Sequence, residues 1–413
     1  MAYFLYLGSK CIKLDIGGCN VKKSVQLLQE FSIPLIAGVV VALVWANIAP
    51  HSYHEFVDTE WFAGINFHFF VNDLFMVLFF AIAGVEITQA LLPGGDLNPI
   101  KKAVNPLLAT LGGVLGPVSV YFILNTLIGS PEFTRGWGIP TATDIALAWL
   151  VARFVFGEKH PAVKFLLLMA IADDAIGLII IAVFYPDPLH PVEPLWLLLT
   201  LAGMAIAFLL RKKQVSNYWP YILFGGVLSW AGLHNAHLHP ALAFVFIVPF
   251  LPHKERENMH LFEEGIDEHS PLARFEHEWK VIVDFGLFFF GLANAGVEFS
   301  AIGIPTWLVF LGLIVGKTVG IFLLGNLGQL LGFPLPTGMG RKELFLAGVV
   351  AALGLTVALF VAGAAFTDEH IQGAAKMGAL FSASVAAIAI ILGKVLKIEK
   401  VKDSETVTAQ KHL

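Results

Sequence analysis

Charge is scarce in this chain. Only 14% of its 413 residues are Asp, Glu, Lys or Arg, where a soluble domain carries roughly a quarter. That shortage argues against a water-soluble globular protein, and nothing in the pattern calls for a nucleic-acid partner or a cofactor. Cysteine is nearly absent as well. The two present, Cys11 and Cys19, lie among Lys10, Lys13, Lys22 and Lys23, a basic setting expected on the reducing, cytoplasmic side of a membrane, so a disulfide framework is not expected. The opening "AYFLYLG" is too short for a signal-peptide core, and no small-residue cleavage site follows it. What is abundant is apolar sequence, 57% of the chain, and it comes in long blocks. Stretches such as "PLIAGVVVALVWANIAP" and "LWLLLTLAGMAIAFLLRKK" are long enough to cross ~30 Å of hydrocarbon as helices. The fold class expected is all-α, a polytopic membrane protein.

About twelve spans can be drawn, at 31–49, 68–91, 104–127, 135–155, 161–184, 194–211, 217–233, 237–252, 279–299, 305–328, 343–366 and 372–396. Basic residues test the count. They cluster in the N-terminal segment, at Lys101 and Lys102, at Arg153, Lys159 and Lys164, at Arg211 to Lys213, at Lys254, Arg256 and Arg274, at Arg341 and Lys342, and after Lys394. The alternate loops are nearly free of Lys and Arg, Arg135 and Lys376 excepted. By the positive-inside rule both termini are cytoplasmic. The expected organisation is a cytoplasmic N-terminal segment (1–30), one transporter domain (31–397) and a cytoplasmic tail (398–413). One long acidic and His-rich cytoplasmic loop, 253–279, is expected to be a connector or a regulatory element.

Ionisable residues inside a bilayer cost at least ~2.5–3.5 kcal/mol each and therefore point to function. Asp144, Asp173, Asp174 and Lys317 all fall near the midpoint of their spans. Asp173 and Asp174 are adjacent, so on a helix of 3.6 residues per turn they point ~100° apart. One can face an ion cavity while the other faces a cation, and Lys317 is the basic residue at that depth. Burial disfavours charge on both members of such a pair, which suits a carrier that moves protons. Two spans also hold helix-breaking sequence, "GIPTATD" in the fourth and "AALGLTVALF" in the eleventh. Their separation is odd, so spans three to five and ten to twelve run in opposite directions. That is the arithmetic of an inverted repeat whose two discontinuous helices cross at the site. Their half-helix ends carry partial charge; Asp144 can neutralise the positive ends and Lys317 the negative ones.

Other polar positions are less specific. Asn72, Asp73 and Glu86 in span two read as interfacial residues, with Glu86 also placed to mark the mouth of an inward-facing funnel. Asp284 and Glu298, assigned to span nine, read as structural or as tuning the ion path. In "HNAHLHP" the histidines 234, 237 and 239 make a weak zinc signal, since His237 and His239 would not share a helical face and neither a cysteine nor an HExxH pattern accompanies them. A pH-sensitive role fits them better.

With these residues assembled, "TRGWGIPTATDIALAW", "AIADDAIGLIIIAVFY", "LHPALAFVFIVPF", "SPLARFEH", "GLANAGV", "GKTVGI" and "ALGLTVALFVAGAAF" resemble, in order and over about residues 31–395, the NhaA-type sodium/proton antiporters. The resemblance implies that Asp144 compensates charge at the crossing and that Thr143 belongs to the ion site. It implies that Asp174 is the principal cation ligand, and that Asp173 carries the proton and pairs with Lys317. It also implies a pH-response role for Glu86 and for His239, with His237 as the alternative. Two segments depart from the family pattern. The family's "GLEVKREL" is "GVEITQAL" here, with Thr88, Gln89 and Ala90 in place of charged residues, and "DFGLFFFGLANAG" lacks a proline before Asn-Ala-Gly and adds Asp284.

The resulting expectation is a secondary antiporter of the bacterial inner membrane that exports sodium (or lithium) against protons, electrogenic and pH-regulated, and not an enzyme. The transported Na⁺ is held by Asp173, Asp174 and Thr143, and a homodimer is left open. A sodium-coupled symporter on the same scaffold would need an organic-substrate pocket, for which no extra polar cluster is evident. An intramembrane aspartyl protease using Asp144 and Asp174 would need a glycine-rich run before the second aspartate, which "AIADD" lacks.

Overall fold

The architecture, taken from a computed structural model, is all-α. It describes residues 32–61, 64–98, 100–187, 190–253 and 270–400. The N-terminal segment with Cys11 and Cys19, most of the 253–279 loop and the end of the tail therefore lie outside the described residues. The helices used below are α1 (Ile33–Ile48), α2 (Phe67–Leu91), α3 (Ile100–Ile128), α4 (Ile145–Phe156), α5 (Pro161–Phe184), α6 (Pro194–Lys212), α7 (Val227–Asn235), α8 (Pro271–Asn294), α9 (Ile304–Leu330), α10 (Arg341–Ala351), α11 (Thr356–Ala365) and α12 (Glu369–Val395).

Six of these (α2, α3, α5, α6, α9 and α12) are long and apolar enough to cross a bilayer by themselves. Two more candidates are bent pairs. The 3₁₀ segment Pro131–Thr141 meets α4 at 56°, and α10 meets α11 at 50°. These are the two spans whose sequence carried helix-breaking residues. The remaining predicted positions hold the shorter apolar helices Ile33–Ile48 and Pro240–Phe250, the pair Tyr221–Gly226 and α7, and the charged helix α8. Leu, Ile, Val and Phe side chains such as Ile179, Val183, Leu198, Leu223 and Leu323 point outward, as they do on a protein whose outer surface meets lipid tails.

The crossing of α3 and α9 positions the centre of the molecule. It is a small-residue contact in which backbones touch. A Cβ built on Gly112 would lie 2.1 Å from the Gly320 carbonyl oxygen, and one built on Gly116 would lie 2.1 Å from that of Gly316. Lys317 sits between those two α9 glycines, at the end of a π-helical stretch, Gly312–Lys317.

Helix α8 differs from its sequence assignment at both ends. It starts at Pro271, not near 279, because Ser270 caps it by accepting a hydrogen bond from Ala273 N–H (3.2 Å) and Pro271 fits the first turn. It ends at Asn294, so Glu298 lies in the following connection, where Ser300 donates to its carboxylate (3.0 Å). The helix therefore carries Glu276, Lys280 and Asp284 at i, i+4 and i+8, on one face. Asn72 is likewise not interfacial: it is buried and exchanges amide hydrogen bonds with Asn294 (3.2 and 2.9 Å), tying α2 to α8. Lys376, read as a loop exception, is buried within α12.

Candidate ion-binding site

Asp144 is the N-cap of helix α4, and it serves two helices at once. One carboxylate oxygen accepts from Leu147 N–H (3.1 Å) in the first turn of α4. The other accepts from Thr356 N–H (3.3 Å), the first residue of α11. Its backbone N–H donates to the Leu353 carbonyl (2.7 Å) in the opposite break. The positive ends of both half-helices thus converge on one buried carboxylate. At the negative ends the Thr143 hydroxyl donates to the Ala351 carbonyl (2.9 Å), the last of α10, and Lys317 donates to the Thr141 carbonyl (2.5 Å), the last of the 3₁₀ segment. Lys317 and Thr143 therefore share the compensation of the negative ends that was expected of Lys317 alone.

The neighbouring aspartates diverge. Asp173 is 2% exposed and accepts a hydrogen bond from Lys317 Nζ at 2.8 Å, with Thr143 beside its carboxylate. Asp174 turns into a narrow cleft together with Gly177, Leu178 and Ile181 on its own face of α5. Phe79, Phe80 and Ala83 of α2, Ala142 of the crossing and Val357 of α11 close that cleft. Among the described residues, Asp173 Oδ1 and Asp174 Oδ1 are buried oxygens without a hydrogen-bond partner. Buried polar atoms are ordinarily satisfied, so each of these oxygens is available to a hard cation. Asp173, Asp174, Asp144, Thr143 and Lys317 are thus brought together.

Glu86 lies on α2 one turn beyond the cleft-lining Ala83, about 4.5 Å along the axis. It does not stand alone. Lys280 donates to it at 3.1 Å, and Glu276 and Asp284 are close enough to act on the same ammonium group. Gln89 in turn donates to Glu276 at 2.5 Å. Sequence reasoning missed Lys280. The signal that could have found it is Ser270–Pro271, a helix start that brings Lys280 into register with Glu276 and Asp284. His239 is not part of this group. It precedes the 3₁₀ helix at Pro240, with its ring 5.4 Å from that of Phe360 and the Tyr185 backbone beside it, so Glu86 and His239 occupy separate places.

A sequence profile described as Na⁺/H⁺ antiporter 1 matches residues 23–394. The chain belongs to the Na⁺/H⁺ antiporter 1 family. Among its relatives, the Na(+)/H(+) antiporter NhaA of Desulfitobacterium hafniense (strain DSM 10664 / DCB-2) is 68% identical over 93% of this chain and 99% of its own length. That of Geobacter sulfurreducens (strain ATCC 51573 / DSM 12127 / PCA) is 66% identical over 92% and 100%. The fold is similar to that of the sodium proton antiporter MjNhaP1 of Methanocaldococcus jannaschii at pH 8, with a TM-score of 0.56 at 19% identity, covering 92% of this chain and 95% of that one. Within this Na⁺/H⁺ antiporter 1 member, the segment "GVEITQAL" is where Glu86 and Gln89 meet Lys280 and Glu276 of α8.

Proposed function

We propose that this chain is a sodium (or lithium)/proton antiporter of the bacterial inner membrane, a secondary transporter and not an enzyme, and that Asp174 is its principal cation ligand. The observation that carries the site assignment is the divergence of the two aspartates: Asp173 is held by Lys317 while Asp174 opens into the cleft. Na⁺ takes oxygen ligands, and Asp174, Asp173 and Thr143 supply them. Protons and Na⁺ compete for the same carboxylates, so occupancy by one releases the other. When Na⁺ displaces protons from two groups the exchange is electrogenic, and the membrane potential can drive Na⁺ outward. Asp144 keeps the crossing electrically compensated in either state. The loop charges support a topology with both termini in the cytoplasm and Glu86 on the cytoplasmic side of the cleft, within one transporter domain spanning 31–397. Alternating access follows from rocking one group of helices against the other around the site.

The protease alternative is disfavoured because both Asp144 oxygens accept hydrogen bonds from helix N-termini, which favour a fixed, ionised carboxylate over one that shares a proton with Asp174. In everted vesicles Na⁺ addition should collapse a preformed pH gradient, and Asp174→Asn should abolish this with the protein still inserted. Undiminished exchange by that variant would overturn the site assignment.

A further inference from the structure

Away from the transport site, three side chains with metal-binding chemistry converge on the Lys/Arg-poor face. Asp187 and His190 follow the end of α5, and His237 lies between α7 and the 3₁₀ helix at Pro240. One ligand atom from each lies within 4.8 Å of the other two. The backbone holds them there. Asp187 N–H donates to the His237 carbonyl (3.0 Å), and Glu193 N–H donates to the Ala236 carbonyl (3.3 Å). His237 itself sits in a tight turn at φ 58°. The rings of His190 and His237 stack at 4.8 Å with an 18° interplanar angle, and His190 Nδ1 is 2.7 Å from an Asp187 carboxylate oxygen.

An Asp–His hydrogen bond explains two of these residues but not the second imidazole stacked against the first. A tetrahedral ion with bonds of about 2.0–2.1 Å sets its ligand atoms roughly 3.3 Å apart. Each donor then needs to shift by about 1 Å, within ordinary rotamer adjustment. Two imidazoles and a carboxylate select Zn²⁺ and its neighbours, while hard Na⁺ prefers oxygen alone.

We propose that Asp187, His190 and His237 bind one divalent transition-metal ion of the Zn²⁺ class, with water completing the coordination, and that the bound ion restrains α5 against α7. Helix α5, which carries Asp173 and Asp174, packs on α2, α3, α4 and α10, whereas α7 packs on α6 and the Pro240 helix, and α2 packs on that Pro240 helix as well. The site therefore adds a direct tie between α5 and α7, and sliding of one past the other breaks metal bonds. The restraint rests on the antiport reading; the binding does not.

The test starts with calorimetric titration of Zn²⁺ into the full-length, chelator-treated protein in detergent. One saturable site is expected, weakened at least about tenfold in His190→Ala and in Asp187→Asn and not displaced by excess Na⁺. His190 is exposed, so its variant should melt as the native protein does. Titrations that match the native protein in both variants overturn the site. In proteoliposomes Zn²⁺ should slow Na⁺-driven proton flux in the native protein and not in His190→Ala; equal inhibition of both, or of neither, overturns the restraint. If native protein shows no Na⁺-driven flux without Zn²⁺, the antiport reading fails, and the titration still decides the metal site.

Discussion

Removing Lys317 should destabilise the protein more than removing the whole ion pair it belongs to. Lys317 Nζ and the Asp173 carboxylate are 2.8 Å apart, with side chains 1% and 2% exposed. At an effective dielectric constant of ~20 their attraction is about 6 kcal/mol, offset largely by the desolvation of both groups. Lys317→Met erases the attraction and leaves a buried carboxylate facing the Thr141 carbonyl across an apolar side chain. Breaking a buried pair in this way costs about 3–5 kcal/mol. Asp173→Leu leaves the ammonium with the Thr141 carbonyl alone and should cost a similar amount. The double variant removes both charges, and replacement of a buried pair by apolar residues is often neutral. Its thermal midpoint in detergent, followed by the loss of monodisperse protein, should therefore lie above that of either single variant. If instead the midpoint of the double variant falls below that of the native protein by the sum of the two single shifts, the two residues do not act as a pair, and the proton role assigned to Asp173 loses its basis.

Other outcomes follow from the same geometry. Gly112→Ala or Gly116→Ala places a methyl group against a backbone oxygen of α9 and should cost about 1–3 kcal/mol together with exchange activity, because Lys317 moves with that backbone; Gly363→Ala, with nothing within 4 Å of its Cβ, should melt no lower than the native protein. Asp144→Asn keeps one acceptor for α4 but loses the charge shared with α11, so a drop of about 1–2 kcal/mol in stability is expected in the same melting assay. Na⁺ at 100 times its dissociation constant should stabilise the native protein by about 2.7 kcal/mol and leave the melting of Asp174→Asn unchanged. His160 caps α5 by accepting from Ala162 N–H (3.1 Å) through Nδ1, and burial pushes its imidazole below the ordinary histidine value against the pull of Glu343. A group whose folded pKa is depressed contributes fully above its unfolded value, ~6.5, and that contribution is lost as pH falls through the folded value. The native protein should accordingly lose stability relative to His160→Asn, which caps without titrating, as the pH falls below about 6.5.

The residues at the centre were legible because their chemistry conflicts with their surroundings. Asp144, Asp173, Asp174 and Lys317 stand out against apolar sequence, and Pro140, Gly354 and the threonines mark the breaks. The partner of each was harder to read. That Thr143 caps α10 and Lys317 the 3₁₀ segment depends on how two helices cross, which no local pattern encodes. The stretches of 3₁₀ and π-helix were invisible, since they share the composition of α-helix. The start of α8 was hidden because Arg274, Glu276 and Glu278 lower its apolar character, and a reading by hydropathy passes over Ser270–Pro271. The Asp187, His190 and His237 cluster was hidden for a different reason: its members come from two distant loops, and a histidine that looks idle beside its sequence neighbours can be fully engaged in space.

The pairing of Asp173 with Lys317 also bears on how the chain is made. The two are 144 residues apart, so at about 5–20 residues per second the aspartate waits roughly 7–29 s for its counter-ion during synthesis. Helix α5 must enter the bilayer carrying two carboxylates that nothing yet compensates. It also holds the most apolar window of the six long helices, a surplus of Leu and Ile around the charged pair that functions at the moment of insertion. Polar substitutions on the lipid face of α5, at Ile179 or Val183, should then show their effect as chains that fail to insert, before any defect in transport can be observed.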